Sequence, residues 1–172
     1  MKLQLRYYGD PILRKRATEV HDFDAKLREE AEAMIDTMFE QAGVGLAGPQ
    51  VGLEKRLLVA LEMEDPDDNE APPIVMVNPE ILERSQENWV YEEGCLSIPG
   101  IRGDVTRPER VRVRYQDVDG RAHEIDVDAM FARVIQHEID HLDGKLFIDY
   151  LSMGQRTLLK PKLKKIAEKY AS

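Results

Sequence analysis

Five consecutive residues carry the most definite chemistry in this chain: His137-Glu138-Ile139-Asp140-His141. They lie in a stretch with helical periodicity, where positions i and i+4 share a face about one turn apart. Two imidazoles at that spacing can reach one metal ion. The glutamate beside them can take a proton from a metal-bound water. The pattern therefore points to metal-assisted hydrolysis of a carbonyl compound. Coincidence is the competing explanation, but H-E-x-x-H arises by chance in well under about one in a hundred chains of this length. Two of the four histidines lie within it; His21 and His123 are the others.

A third ligand is needed. The metzincin continuation holds as far as Gly144, then has Phe147 where its histidine belongs. Of the downstream acids, Asp149 is too close to the motif and Glu168 sits near a solvated C-terminus. The ligand is therefore expected upstream, where the only cysteine lies, Cys95 in Glu93-Gly94-Cys95-Leu96-Ser97. A lone cysteine is by default a small buried apolar residue. Its surroundings favour more: Gly94 permits close backbone approach, and Ile98-Pro99-Gly100 reads as a turn. A thiolate with two imidazoles leaves a fourth position open, the arrangement of catalytic rather than structural sites.

A glycine-rich segment adds a second element, Gly43-Val44-Gly45-Leu46-Ala47-Gly48-Pro49-Gln50-Val51-Gly52. Four glycines in ten residues make poor helix and poor strand, but a backbone that can approach a ligand. It lacks the Lys-Ser/Thr of a phosphate loop and the spacing of a dinucleotide fingerprint. Gln50 is the side chain there that could donate to a developing oxyanion.

Together these segments resemble the peptide deformylase family. Its three motifs are matched in order by Gly43 to Gln50, by Glu93 to Ser97, and by Gln136 to His141, so the resemblance covers roughly residues 5–160. It implies that Cys95, His137 and His141 bind the metal, and that Glu138 is general base and acid. Gln50 and the Leu96 backbone N–H would hold the oxyanion. The reaction implied is removal of the formyl group from the N-terminal formylmethionine of nascent polypeptides, with release of formate. The backbone of Val44, Leu46 and Gly94 would pair with the extended substrate, Gly45 would be a further binding position, and Arg102 would lie along its path. The family also implies Fe(II) and sensitivity to air. The ligand set alone suits Zn(II), Co(II) and Ni(II) as well. Two positions depart from the pattern. Gly48 stands where the family usually has Ala, which would loosen the loop slightly. Arg133 stands where it often has an apolar residue, which would make a pocket rim more polar.

The elements that must position these groups read as one α+β domain over residues 1–172. Short mixed or antiparallel sheets surround a central motif helix at about residues 128–142, flanked by N-terminal and C-terminal helices. Met130 and Val134 share the metal face of the motif helix. With Val44 and Tyr91 they would wall a slot for a methionine side chain; for Met130, plain core packing is an equal alternative. Asp24, or Asp22 before it, caps a first helix running to about residue 41. Residues 57–61 form a buried strand. Residues 62–73 read as an acidic exposed loop. Short strands lie at residues 74–77 and 81–83, around Asn78-Pro79. Residues 111–115 alternate as a half-buried strand, turn at Asp119-Gly120 and return through residues 123–127.

Charge is uneven. The chain carries −9 in all. Residues 155–172 hold six bases and one acid, so that tail is +5 and residues 1–154 are −14. The resemblance implies that this basic helix, about residues 152–170, docks on the ribosome; a solvated helix end is the alternative. One cysteine excludes a disulfide framework. No apolar leader opens the chain and no run approaches 18 apolar residues, so neither secretion nor a membrane span is expected. A cytoplasmic monomer that binds no DNA is the expectation. The competing functions are another metal amidase or zinc peptidase, and a non-catalytic ribosome- or metal-binding homologue.

Overall fold

The computed structural model describes residues 1–68 and 70–171. Asn69, inside the acidic loop, and Ser172, in the basic tail, lie outside the described residues. The first helix, α1, is Ala25–Glu40. Asp24 caps it, its side chain accepting from Leu27 N at 3.0 Å, a bond worth about 1 kcal/mol. Leu27, Ala31, Met34 and Met38 form the buried stripe.

Among the described residues there are seven strands, all paired antiparallel: β1 Gly45–Ala47, β2 Leu57–Leu61, β3 Pro73–Arg84, β4 Asn88–Cys95, β5 Ile98–Pro108, β6 Arg110–Gln116 and β7 Ala122–Asp128. The order β1-β2-β3-β6-β7 makes a five-stranded sheet, and β4-β5 a separate ribbon. Every residue of β2 is buried, because α1 and the motif helix α2, Ala129–Leu142, both pack against it. By contrast β6 alternates, with Val111, Val113 and Tyr115 inward, as a strand with one solvated face requires.

Several expectations need correction. The two short strands around Asn78-Pro79 are one strand, β3, with a register shift between Val77 and Glu80. Asn78 takes φ +50° there. Its amide pays for that conformation by bonding Val20 N, Val20 O and Gln116 Oε1. The glycine-rich segment contains β1 and a 3-10 turn, Gly48–Val51. Ile98-Pro99-Gly100 opens β5 rather than forming the turn, which falls at Leu96 and Ser97. The ribbon escaped notice because its strands mix charge with apolar residues and carry Gly94, Gly100 and Gly103.

Two apolar clusters result. The larger lies between the five-stranded sheet, α1 and α2. The smaller joins Ile98, Ile101 and Val105 of β5 to Leu163 and Ile166 of the C-terminal helix α3, Met153–Lys169. Among the described residues no helix is long and apolar enough to cross a membrane.

Candidate metal centre

The helix α2 presents His137 and His141 one turn apart, and the end of β4 brings Cys95 to them. Ligand atoms of these three residues all lie within 4.8 Å of one another. Cys95 Sγ is 3.3 Å from His141 Nε2. His137 Nδ1 is 2.8 Å from Glu93 Oε1, which leaves Nε2 of that ring as the free nitrogen. Asp149 pairs with Arg14 at 2.7 Å and Glu168 lies near Lys164, so neither downstream acid competes.

The donor set fits a divalent ion. A soft thiolate and two imidazoles match the softer first-row metals. A carboxylate on the far nitrogen of a ligating histidine is the usual outer support. Burial first, and then His137, hold the His141 pKa well below the ordinary histidine value, whereas at His137 the lowering by burial is outweighed by Glu138, Cys95 and Glu93, which raise its pKa. Neutral imidazole is the form that ligates. Among the described residues four buried side-chain atoms are unpartnered: Glu138 Oε1 and His141 Nδ1 at this centre, and Trp89 Nε1 and Arg133 Nε beside it.

Glu138 sits beside the cluster, 4% exposed. Burial pushes its carboxyl up to about 7, against the pull of His137. Gly45 makes room for it: a Cβ there would stand 2.6 Å from Glu138 Oε2 and 2.8 Å from Val134 Cγ1. Gln50 is anchored by Ala47 N, which donates to its Oε1 at 2.9 Å. Its Nε2 donates to Cys95 Sγ at 3.4 Å and to Ser97 Oγ at 3.2 Å. The departure at Gly48 does not loosen the loop. A Cβ there would meet Lys55 O at 2.7 Å and Leu53 O at 2.8 Å, so glycine is what lets these backbones touch.

The centre opens into a cleft of ≈ 580 Å³. Val44, Tyr91, Met130 and Val134 line it, with Gly45, Gly94, Leu96 and Arg102. Arg102 lies over Gly94 and binds Glu92, 3.0 Å to Oε1. Leu46 is the expected substrate residue that does not line it: its side chain is fully buried in the larger cluster. The carbonyl of Val44 accepts from Leu61 N at 2.9 Å. The expectation for Arg133 is also corrected. It borders the cleft but is only 1% exposed, so it is no polar rim.

Sequence reasoning assigned nothing to Glu93 and Arg107. Glu93 Oε1 accepts from His137 Nδ1 and from Arg107 Nη2 at 3.0 Å. Its Oε2 accepts from Arg107 Nε at 2.6 Å and from Arg133 Nη1. Arg107 Nη1 donates onward to Asp140 Oδ2 at 2.9 Å. Tyr150, its hydroxyl pushed up to about 12 by burial and by Asp140, donates to the same oxygen. The available signal was the acid two residues before Cys95.

A family model described as polypeptide deformylase matches residues 2–157. A peptide deformylase of Bartonella tribocorum is 47% identical over 92% of this chain and 89% of its own length. The crystal structure of peptide deformylase from Thermotoga maritima superposes with a TM-score of 0.82 at 45% identity, covering 88% of this chain and 99% of that one. A peptide deformylase from Plasmodium falciparum gives 0.89 at 38% identity, over 97% and 96%. With the family model spanning nearly the whole chain and the fold shared, this chain belongs to the polypeptide deformylase family of metal-dependent hydrolases.

Proposed function

We propose that Cys95, His137 and His141 hold one divalent ion and that Glu138 moves the protons while the formyl group is cleaved from N-formylmethionyl peptides. The observation that carries this reading is the convergence of three ligand atoms within 4.8 Å beside a buried carboxylate with an unpartnered oxygen. A divalent ion held by Cys95, His137 and His141 would supply Lewis acidity towards the formyl carbonyl and would lower the pKa of water. Glu138, with a carboxyl near neutrality, takes the proton of the attacking water and returns it to the departing amine. Gln50 Nε2 and the Leu96 N–H stabilise the oxyanion, a donor of this kind being worth about 3 kcal/mol of barrier. The methionine side chain lies against Met130, Val134, Tyr91 and Val44, and the peptide runs past Gly45, Gly94 and Arg102 along the backbone edge of β1, with the Leu46 side chain turned into the core.

The ion is Fe(II), with Zn(II) as the competing occupant. Air would then oxidise both the iron and Cys95. The exposed bases of α3, Lys160, Lys164 and Lys165 among them, contact the ribosome, which places a monomeric enzyme in the cytoplasm where nascent chains emerge. Support for that contact is the +5 charge of the tail set against a −14 body.

The test is formate release from formyl-Met-Ala-Ser, assayed anaerobically with Fe(II) or with Ni(II), beside the N-acetyl peptide. Release from the formyl peptide alone is expected. No release with a full complement of metal removes this reading. Cys95→Ala is expected to lose its metal. Full retention places the third ligand elsewhere.

A further inference from the structure

We infer that Arg133 is a positioning residue for His137, acting through Glu93; the inference rests on the metal-site reading above. An ionised carboxylate offers about four lone-pair directions, and all four on Glu93 are occupied: two by Arg107, one by His137 and one by Arg133. The bond to His137 Nδ1 sets that ring's tautomer and leaves Nε2 for a metal. Arg107 alone cannot hold Glu93 still, because it also serves Asp140. One guanidinium shared between the buried Glu93 and the partly buried Asp140 leaves a net negative charge beside the ligands. Arg133 balances it, giving two guanidinium groups and two carboxylates.

Arg133 is also the less movable partner. Its Nη2 donates to Trp89 O at 2.7 Å on β4, and its Nη1 to Val105 O at 3.0 Å on β5. Its guanidinium carbon stands 4.5 Å from the centroid of the Trp89 ring. The same group is thus pinned to both strands of the ribbon that delivers Cys95. A lysine, with a compact ammonium in place of the planar fork, cannot serve Glu93 and two carbonyls while stacking on the indole.

The experiment titrates Co(II) into the metal-free full chain and into Arg133→Lys and Arg133→Met. The near-ultraviolet thiolate band and the visible bands of cobalt report ligation without turnover. Val113→Ala, a buried change on β6, serves as control for lost stability alone. The expected result is cobalt binding weakened by about 10–100-fold in Arg133→Met, less in Arg133→Lys, with altered visible bands in both. Val113→Ala keeps the parent's affinity and spectrum. Parental affinity and spectrum in the Arg133 variants overturn the inference. If Arg133→Met fails to fold, Arg133→Lys, which keeps the buried charge, decides alone. A parent chain that binds cobalt with no thiolate band removes the metal-site reading itself, a result distinct from unchanged Arg133 variants.

Discussion

The helices α2 and α3 are of similar length and oppositely constrained. In α2, 11 of 14 residues are buried; in α3, two of 17 are. Enclosed by β1, β2, β6 and β7, α2 can hold charged groups only where each finds a partner, since an unpaired buried charge is costly. The Glu93, Arg107 and Asp140 network is the consequence. Glu138, His141 and Arg133 each keep one unpartnered atom within this enclosure, and of these Glu138 is the one without any other side-chain partner among the described residues. The other helix buries only Leu163 and Ile166, with Leu159 and Ala167 packed beside them, and its lysines face water. Leu158 and Met153 are about four-fifths exposed. Enclosure makes α2 suited to chemistry that needs fixed geometry. One-sided attachment leaves α3 able to meet something outside the molecule.

Changes in α2 should therefore alter chemistry and changes in α3 should not. The largest expected effect is from Glu138→Ala: turnover falls by about 10²–10⁴-fold while metal content is retained. Near-parental formate release would take Glu138 out of the mechanism and the contrast with it.

Next in size is a matched pair. Gly45→Ala forces a methyl against Glu138 and Val134, so it costs about 1–3 kcal/mol of stability and at least about tenfold in turnover. Leu163→Ala opens the smaller cluster for a similar cost of about 2 kcal/mol, a drop of roughly 4–8 °C in Tm, with kcat unchanged. Thermal melts run beside formate assays check both. A kcat loss in Leu163→Ala would show that α3 reaches the centre.

Charge changes on α3 come third. Lys160, Lys164 and Lys165 replaced together by Ala are expected to weaken salt-dependent ribosome association and to leave peptide turnover alone. Substitution is the sharper tool than truncation at residue 155. Truncation also removes Leu163, Ile166, the Tyr7–Tyr170 ring stack and the close contact of Ala167 with Gly9. Ribosome affinity unchanged by the triple substitution makes α3 a simple brace.

The smallest effect concerns the junction between the two helices. Arg14 beside Asp149, with the Leu146 N–H, holds that carboxyl below its ordinary value despite partial burial. A depressed carboxylate contributes stability above its unfolded pKa, and loses it as pH falls through the folded value. Asp149→Asn should therefore lower Tm slightly near neutrality, with the difference shrinking as pH falls below about 4 and closing only below the depressed folded value. Equal differences at both pH values would mean that the side chain acts by packing.

Much of this molecule was readable in one dimension because the relevant physics is local. Helical spacing alone put His137 and His141 on one face, and Asp24 announced the start of α1. The apolar run of residues 57–61 marked β2, and the Asp119-Gly120 signal marked the β6–β7 hairpin with strand ends and turn each within one residue. Patterning failed where partners are distant. Nothing near Asn78-Pro79 shows that Val20 and Gln116 stabilise a bulge that keeps β3 whole. The ribbon β4-β5 has too mixed a pattern to declare itself. Gly48 reads in the sequence as a slack substitution, yet the carbonyls of Leu53 and Lys55 occupy the space of its Cβ.

What the sequence determined by itself was the inventory of reactive groups and their local spacing, since helix geometry converts i, i+4 directly into distance. The tertiary structure decided which groups share a charge. Glu93 meets His137 across 44 residues and Arg107 across 14, and Arg133 turned inward rather than to the cleft rim. Those choices depend on which strands enclose α2, and on the need to neutralise every carboxylate taken out of water. No window along the chain contains that information.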